Sequence, residues 1–190
     1  MKEKFIELYN KFILPREGAK ELLTYIENSD FFSAPASTRY HCAYEGGLVK
    51  HCINVYNRLV RLNDEAGMGN YSAQSIAIAG LLHDICKANF YTTEMRNKKN
   101  DETGIWEKVP YYTVNDQLPY GHGEKSVYII TGFMRLTRDE SMAIRWHMGG
   151  FDKTAQGCAH ALNEAMKRFP LILLTHTADM YATFFDEAET

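Results

Sequence analysis

Between Ile76 and Ile85 the chain is apolar on every side of a helix, yet His83 and Asp84 stand next to each other in its last turn. A helical segment that is apolar all round belongs in the interior. Burying an imidazole beside a carboxylate there is costly unless something compensates. The compensation is either a hydrogen-bonded core pair or a bound cation. Any fold for this sequence must therefore bring a polar pair deep between helices and supply partners for it.

The rest of the chain reads mostly as helix. Phe5, Ile6, Tyr9, Phe12 and Ile13 share one face of a helix over residues 2–13, which Pro15 stops. A second helix is expected over 16–27, with Leu22, Leu23 and Ile26 inward. After a Ser- and Ala-rich loop, Leu48, Cys52, Val55, Leu59 and Leu62 mark a long helix that ends near Gly67 and Gly69. Ser72 is placed to cap the apolar helix that follows. Residues 89–119 break the pattern: aromatic and β-branched runs flank a polar turn at Asn97–Gly104, which predicts a β-hairpin. Helices are then expected over 123–136, from Thr137 to Gly149–Gly150, over 154–169 and over 171–185. Thr137 and Glu140 have capping-box spacing. The fold class is therefore all-α, a helical bundle with a small β-hairpin insertion at about 89–119, in a single domain over residues 1–190.

Composition excludes some functions. A net charge of -3 does not suit a protein that holds nucleic acid mainly by charge. No uncharged apolar run approaches the roughly 18 residues that span a membrane. Met1-Lys2-Glu3-Lys4 does not read as a secretory signal. Cys42, Cys52, Cys86 and Cys158 form no Cys-x-x-Cys pair, so reduced thiols and a cytoplasmic location are expected.

Histidine carries more information. His51 lies beside the apolar stripe of the long helix, and Asp179 lies inside the last apolar helix. With His83 and Asp84, three helices supply two imidazoles and two carboxylates. That mixed shell suits Mn, Fe, Co, Ni or Zn better than Ca or Mg alone.

The order His51, His83-Asp84, Asp179 resembles the HD phosphohydrolase superfamily. So do the segments Gly46–His51, Leu81–Lys87, Gly121–Ser126, Ile144–Gly149 and Ala178–Met180, which run through most of the chain. The resemblance implies an HD-domain bundle and metal-assisted hydrolysis of a phosphate ester or anhydride through a metal-bound hydroxide. It implies that His51, His83, Asp84 and Asp179 hold a first divalent ion, with magnesium also admitted. In branches with later histidines, His122 and His147 join a shared Asp84 in a second site. The alternative for these two is direct contact with the substrate phosphate or a hydrogen bond to metal water. His122, between two glycines at a helix start, suits anion contact.

Asp84 and Lys87 are the catalytic candidates. Lys87, His41, Lys125 and Arg145 are the substrate-binding candidates; His41 and Glu45, ahead of the first metal helix, either reach the pocket as phosphate ligand or general base or fix a loop. His176, one turn before Asp179, is either its orienting partner or a core histidine. His160 reads as structural or surface. Trp106, Tyr111, Tyr112 and Tyr120 either stack on a base or pack the hairpin onto the bundle.

The departures from named branches narrow the substrate. No Glu-Asp pair follows His83-Asp84 as in alarmone hydrolases. The His147 segment lacks the signature of cyclic-di-GMP phosphodiesterases. The nearest likeness is to stand-alone HD hydrolases and to the HD domain of bacterial 3′–5′ exoribonucleases, whose OB domain has no counterpart here. The expected partner is a small phosphorylated, nucleotide-like molecule, with no membrane and no stable nucleic-acid partner. The alternatives are a phosphodiesterase for cyclic or short oligonucleotides and a non-catalytic nucleotide-sensing module. Oligomeric state is open.

Overall fold

The computed structural model describes residues 1–65 and 71–188. Its helices are α1 (Lys2–Phe12), α2 (Ala19–Asn28), α3 (Gly47–Glu65), α4 (Ala73–Leu82), α5 (His122–Thr131), α6 (Arg138–Trp146), α7 (Lys153–Gly157), α8 (Ala159–Arg168) and α9 (Leu171–Tyr181). A 3₁₀ turn over Ile85–Lys87 follows α4, and a π-helical turn over Ala182–Asp186 extends α9. The expected end of the long helix near Gly67 and Gly69 lies outside the described residues.

Helix α4 is the axis of the bundle. Every residue from Ile76 to Leu82 is buried, and the helix packs on α1, α3 and α6. Ser72 caps it by accepting from the Ser75 N–H at 3.1 Å. Helix α3 meets α4 backbone to backbone, because a Cβ on Gly80 would lie 2.7 Å from Tyr56 Cα. Only glycine permits that approach. Helix α9 packs on both α3 and α6, so the polar residues of α3, α4, α6 and α9 reach one interior.

Helix α6 opens with the expected capping box. Thr137 Oγ1 accepts from the Glu140 N–H, and the Glu140 carboxylate accepts from the Thr137 N–H at 2.8 Å. Glu140 is fully buried and also binds Arg16 through both carboxylate oxygens, at 2.5 and 2.9 Å. One side chain therefore caps a helix and ties the start of α2 to the core.

The helix expected over 154–169 is two helices. Gly157 closes α7, and Cys158 takes an extended backbone with φ -152° and ψ 78° before α8 begins. Helix α6 stops at Trp146, earlier than Gly149–Gly150. Gly149 then adopts φ 54° against the ring of His176, where a Cβ would sit 2.6 Å from His176 Cε1.

The hairpin is antiparallel, β1 (Tyr91–Lys99) pairing with β2 (Trp106–Val114) from Tyr91↔Val114 at the root to Lys99↔Trp106 at the tip. Apart from its root it stands in solvent, and Trp106 is 69% exposed. Trp106 is therefore not packed onto the bundle. Among the described residues no helix is long and apolar enough to cross a membrane.

Candidate metal centre

Five helices deliver the polar residues to one place. His51 comes from α3, His83 caps the C-terminus of α4, and Asp84 follows it into the 3₁₀ turn. His122 begins α5, His147 caps the C-terminus of α6, and Asp179 lies on α9. His51, His83, Asp84 and His147 are each at most 2% exposed.

The ends of α4 and α6 orient their histidines in the same way. The last carbonyls of a helix lack intrahelical partners. His83 Nδ1–H donates to the Gly80 carbonyl at 3.0 Å, and His147 Nδ1–H donates to the Ile144 carbonyl at 2.7 Å. His51 Nδ1 is held by the Glu187 carboxylate at 3.1 Å. With Nδ1 so engaged, each Nε2 points inward. Histidines that ligate metals are fixed in this fashion, through the ring nitrogen that does not ligate.

The inward atoms then face one another without satisfying one another. His51 Nε2 and His83 Nε2 are 3.3 Å apart, and only a proton or a cation between them makes that approach favourable. His147 Nε2 is buried without a hydrogen-bond partner, which is costly if left so. Asp84 stands between two histidine pairs. Its Oδ2 lies 3.6 Å from both His51 Nε2 and His83 Nε2. Its Oδ1 lies 2.8 Å from His122 Nε2 and 3.4 Å from His147 Nε2. Asp179 Oδ1 is 3.3 Å from His51 Nε2. The ligand atoms of His51, His83 and Asp84 lie within 4.8 Å of one another, as do those of Asp84, His122 and His147, and those of His83, His147 and Asp179. Imidazole nitrogens and carboxylate oxygens in this ratio fit a divalent first-row metal or zinc.

Charge in the metal-free site follows the same geometry. Burial opposes charge on His51, but hydrogen bonds with Asp179 and Glu187 outweigh it and raise the imidazole to about 9. His122 is raised to about 10 against burial by Cys86 and Asp84. Burial holds His83 down at about 3, so it stays neutral and accepts from its protonated neighbour. Asp84 lies well below the usual carboxylate range despite its burial, because Lys87 and the surrounding histidines stabilise the anion. Protons thus stand where a cation is suited to stand.

A cavity of about 770 Å³ opens over this cluster. Lys87 lines it, with Nζ 2.6 Å from Asp84 Oδ2. His41 also lines it, and burial together with His51 and Lys87 lowers its imidazole to about 4. Lys125 and Arg145, expected at the substrate, do not line the cavity. Lys125 Nζ binds Asp116 at 2.5 Å and lies over the Phe90 ring. Arg145 pairs with Glu124 and Asp152 and covers Trp146. Glu45 and His160 are exposed and away from the cavity. His176 lines the cavity, but its Nδ1–H donates to the His147 carbonyl at 2.7 Å rather than to Asp179.

Sequence reasoning missed three features. Glu187 reaches back from the end of the described chain to His51. Cys86 Sγ sits 3.4 Å from His122 Nδ1. The aromatic rings lining the cavity belong to Tyr40, Phe151 and Phe184, not to the hairpin. No periodicity or spacing marks Glu187, which follows the π-helical turn in a polar tail.

Comparison with known families gives a match between residues 48–179 and the family model described as the HD domain. No curated protein and no solved structure matches the chain.

Proposed function

The chain belongs to the HD-domain superfamily of metal-dependent phosphohydrolases, and from that premise we propose that it hydrolyses a phosphate ester or anhydride of a small, nucleotide-like molecule in the cytoplasm. The observation that carries the reading is the double role of Asp84, whose two carboxylate oxygens face separate histidine pairs. That arrangement suits a carboxylate shared between two cations. His51, His83, Asp84 and Asp179 would hold one, and His122 and His147 with Asp84 the other. Divalent ions so held would acidify a water towards neutral pH and polarise a phosphoryl oxygen.

The chain's own residues supply the rest. The inward nitrogens of His51, His83 and His147 are held in place before any ligand arrives, so apart from loss of the His51 proton little reorganisation accompanies binding. Lys87 is the one lysine or arginine lining the cavity among the described residues. It balances Asp84 in the free site and offers its ammonium to a phosphoryl oxygen in the bound one. His41, neutral near pH 7, offers a hydrogen bond into the cavity beside His51, their ring centroids being 4.8 Å apart. Tyr40, Phe151 and Phe184 give the cavity an apolar aromatic wall against which a nucleobase can stack.

The test is phosphate release from nucleoside mono-, di- and triphosphates and from short phosphodiesters, with Mn, Co, Ni, Zn or Mg added to stripped protein. The reading expects metal-dependent turnover that Asp84→Ala abolishes. Turnover confined to diesters would mean a phosphodiesterase. A nucleotide that stabilises the metal-loaded protein yet is recovered unchanged would overturn catalysis in favour of a sensing module.

A further inference from the structure

We infer that Glu187 is a positioning residue that locks His51 into its ligating orientation, an inference that rests on the metal-centre reading above. The family match ends at residue 179, so Glu187 lies outside the region that the family model describes. The structure nevertheless builds it into the centre. Its side chain is fully buried, and both carboxylate oxygens lie 3.1–3.2 Å from His51 Nδ1. Asn54 Nδ2–H donates to Glu187 Oε1 at 2.9 Å, so the carboxylate is itself held in place.

One face of α3 grips the whole terminal turn. His51, Asn54 and Arg58 recur at spacings of three and four, which aligns them along a helix. His51 and Asn54 take Glu187, and Arg58 takes both carboxylate oxygens of Asp186. Arg58 also lies over the Tyr181 ring, 5.5 Å from its centroid. The π-helical turn Ala182–Asp186 is what brings Glu187 into line, and the Glu187 N–H returns to the Ala182 carbonyl at 3.0 Å. The same segment forms a wall of the cavity through Thr183 and Phe184.

The chemical consequence follows from the tautomer. A carboxylate accepts a hydrogen bond and donates none, so the nitrogen facing Glu187 must be the protonated one. In the neutral ring that a cation requires, Nε2 is then the lone-pair nitrogen, and it faces His83, Asp84 and Asp179. His83 and His147 obtain the same tautomer from helix-end carbonyls. His51 lies in the interior of α3, where the carbonyls are already used, so a residue from elsewhere must do this. Removing Glu187 frees the ring to rotate, and lets the neutral ring carry its proton on Nε2 rather than Nδ1. A rival geometry places a cation between His41, His51 Nδ1 and Glu187, whose ligand atoms also lie within 4.8 Å of one another.

The experiment compares the full chain with its Glu187→Ala and Glu187→Gln variants. Zinc affinity is read by chelator competition, and the histidine ring nitrogens of the zinc-loaded proteins by ¹⁵N NMR. The inference expects Glu187→Ala to weaken one equivalent of zinc by about 10–100-fold. Glu187→Gln, whose amide oxygen still accepts from Nδ1–H, should recover most of that loss while shifting the His51 Nδ1 signal. A merely structural role would lower stability without moving that signal. If Glu187→Ala does not fold, the shift in Glu187→Gln decides. An unmoved Nδ1 signal, or zinc uptake identical in wild type and variants, overturns this inference alone. A His51 Nδ1 bound to zinc overturns it in favour of the rival geometry. A wild-type protein that takes up no zinc overturns the metal-centre reading itself, and this inference with it.

Discussion

Lys87 places its ammonium 2.6 Å from Oδ2 of Asp84, on the cavity side of a carboxylate that also faces His51 and His83. Burial opposes charge on Lys87, yet Asp84 raises its pKa, so the ammonium stays charged across the accessible range. A charged donor fixed beside the centre is suited to charge that develops on a phosphoryl group. Lys87→Met is therefore expected to lower kcat/KM by roughly 100-fold while leaving metal uptake within a few-fold of wild type. Steady-state kinetics beside a metal titration checks this. Unchanged kinetics would remove Lys87 from the reaction.

Protons and cations compete for the same nitrogens. In the metal-free protein His41 titrates at about 4 and His83 at about 3, below an unfolded imidazole near 6.5. The unfolded chain therefore binds protons first on acidification, and stability falls from about pH 6.5 down to about 4 for His41 and about 3 for His83. His51 at about 9 and His122 at about 10 act in the opposite sense. Their contribution is whole below about 6.5 and is lost as pH rises through their folded values. The stripped protein should thus be most stable near pH 6.5. Zinc must expel the protons on His51 and His122, so the rise in Tm that it causes should grow from pH 6.5 to 8.5. A rise that is flat or shrinks over that range would contradict these assignments.

Gly80 links packing to the centre. A methyl group there meets the Tyr56 backbone, and the Gly80 carbonyl is the acceptor for His83 Nδ1–H. Gly80→Ala should push α3 from α4 and cost about 1–3 kcal/mol, or roughly 3–10 °C in Tm. Because His51 and His83 sit on the two separated helices, metal affinity should fall as well. Thermal melts and a metal titration of the variant would check both effects, and a loss of stability with affinity intact would uncouple them.

Glu140 is the corresponding test outside the site. Glu140→Ala leaves Arg16 without its carboxylate partner, though still bonded to the Arg135 carbonyl and Gln74, and removes half of a capping box. Breaking a buried pair of this kind costs about 3–5 kcal/mol. Chemical denaturation would read the loss, and an effect below about 1 kcal/mol would mean that Arg16 finds water instead.

Much of this was legible in the sequence for physical reasons. The uniform apolarity of Ile76–Leu82 placed α4 in the middle, and Thr137–Glu140 marked the start of α6. The hairpin was visible from its composition. What failed was whatever depended on three-dimensional partners. Lys125 and Arg145 look like phosphate ligands in one dimension, but Asp116, Glu124 and Asp152 already engage them. Gly157 and Cys158 look tolerable inside a helix, yet the chain breaks there. Glu187 lies 136 residues from His51, and no local pattern records a contact at that range.

The central claim is that Asp84 is shared between two cation positions. Titration of stripped protein with Mn or Zn, with bound metal counted by elemental analysis, tests it most directly. The account predicts about two equivalents in wild type and about one in the double variant His122→Ala, His147→Ala, as expected for a two-metal centre. Asp84→Ala should retain neither tightly. A wild-type protein that binds no metal, or a double variant that binds as much as wild type, would contradict the account.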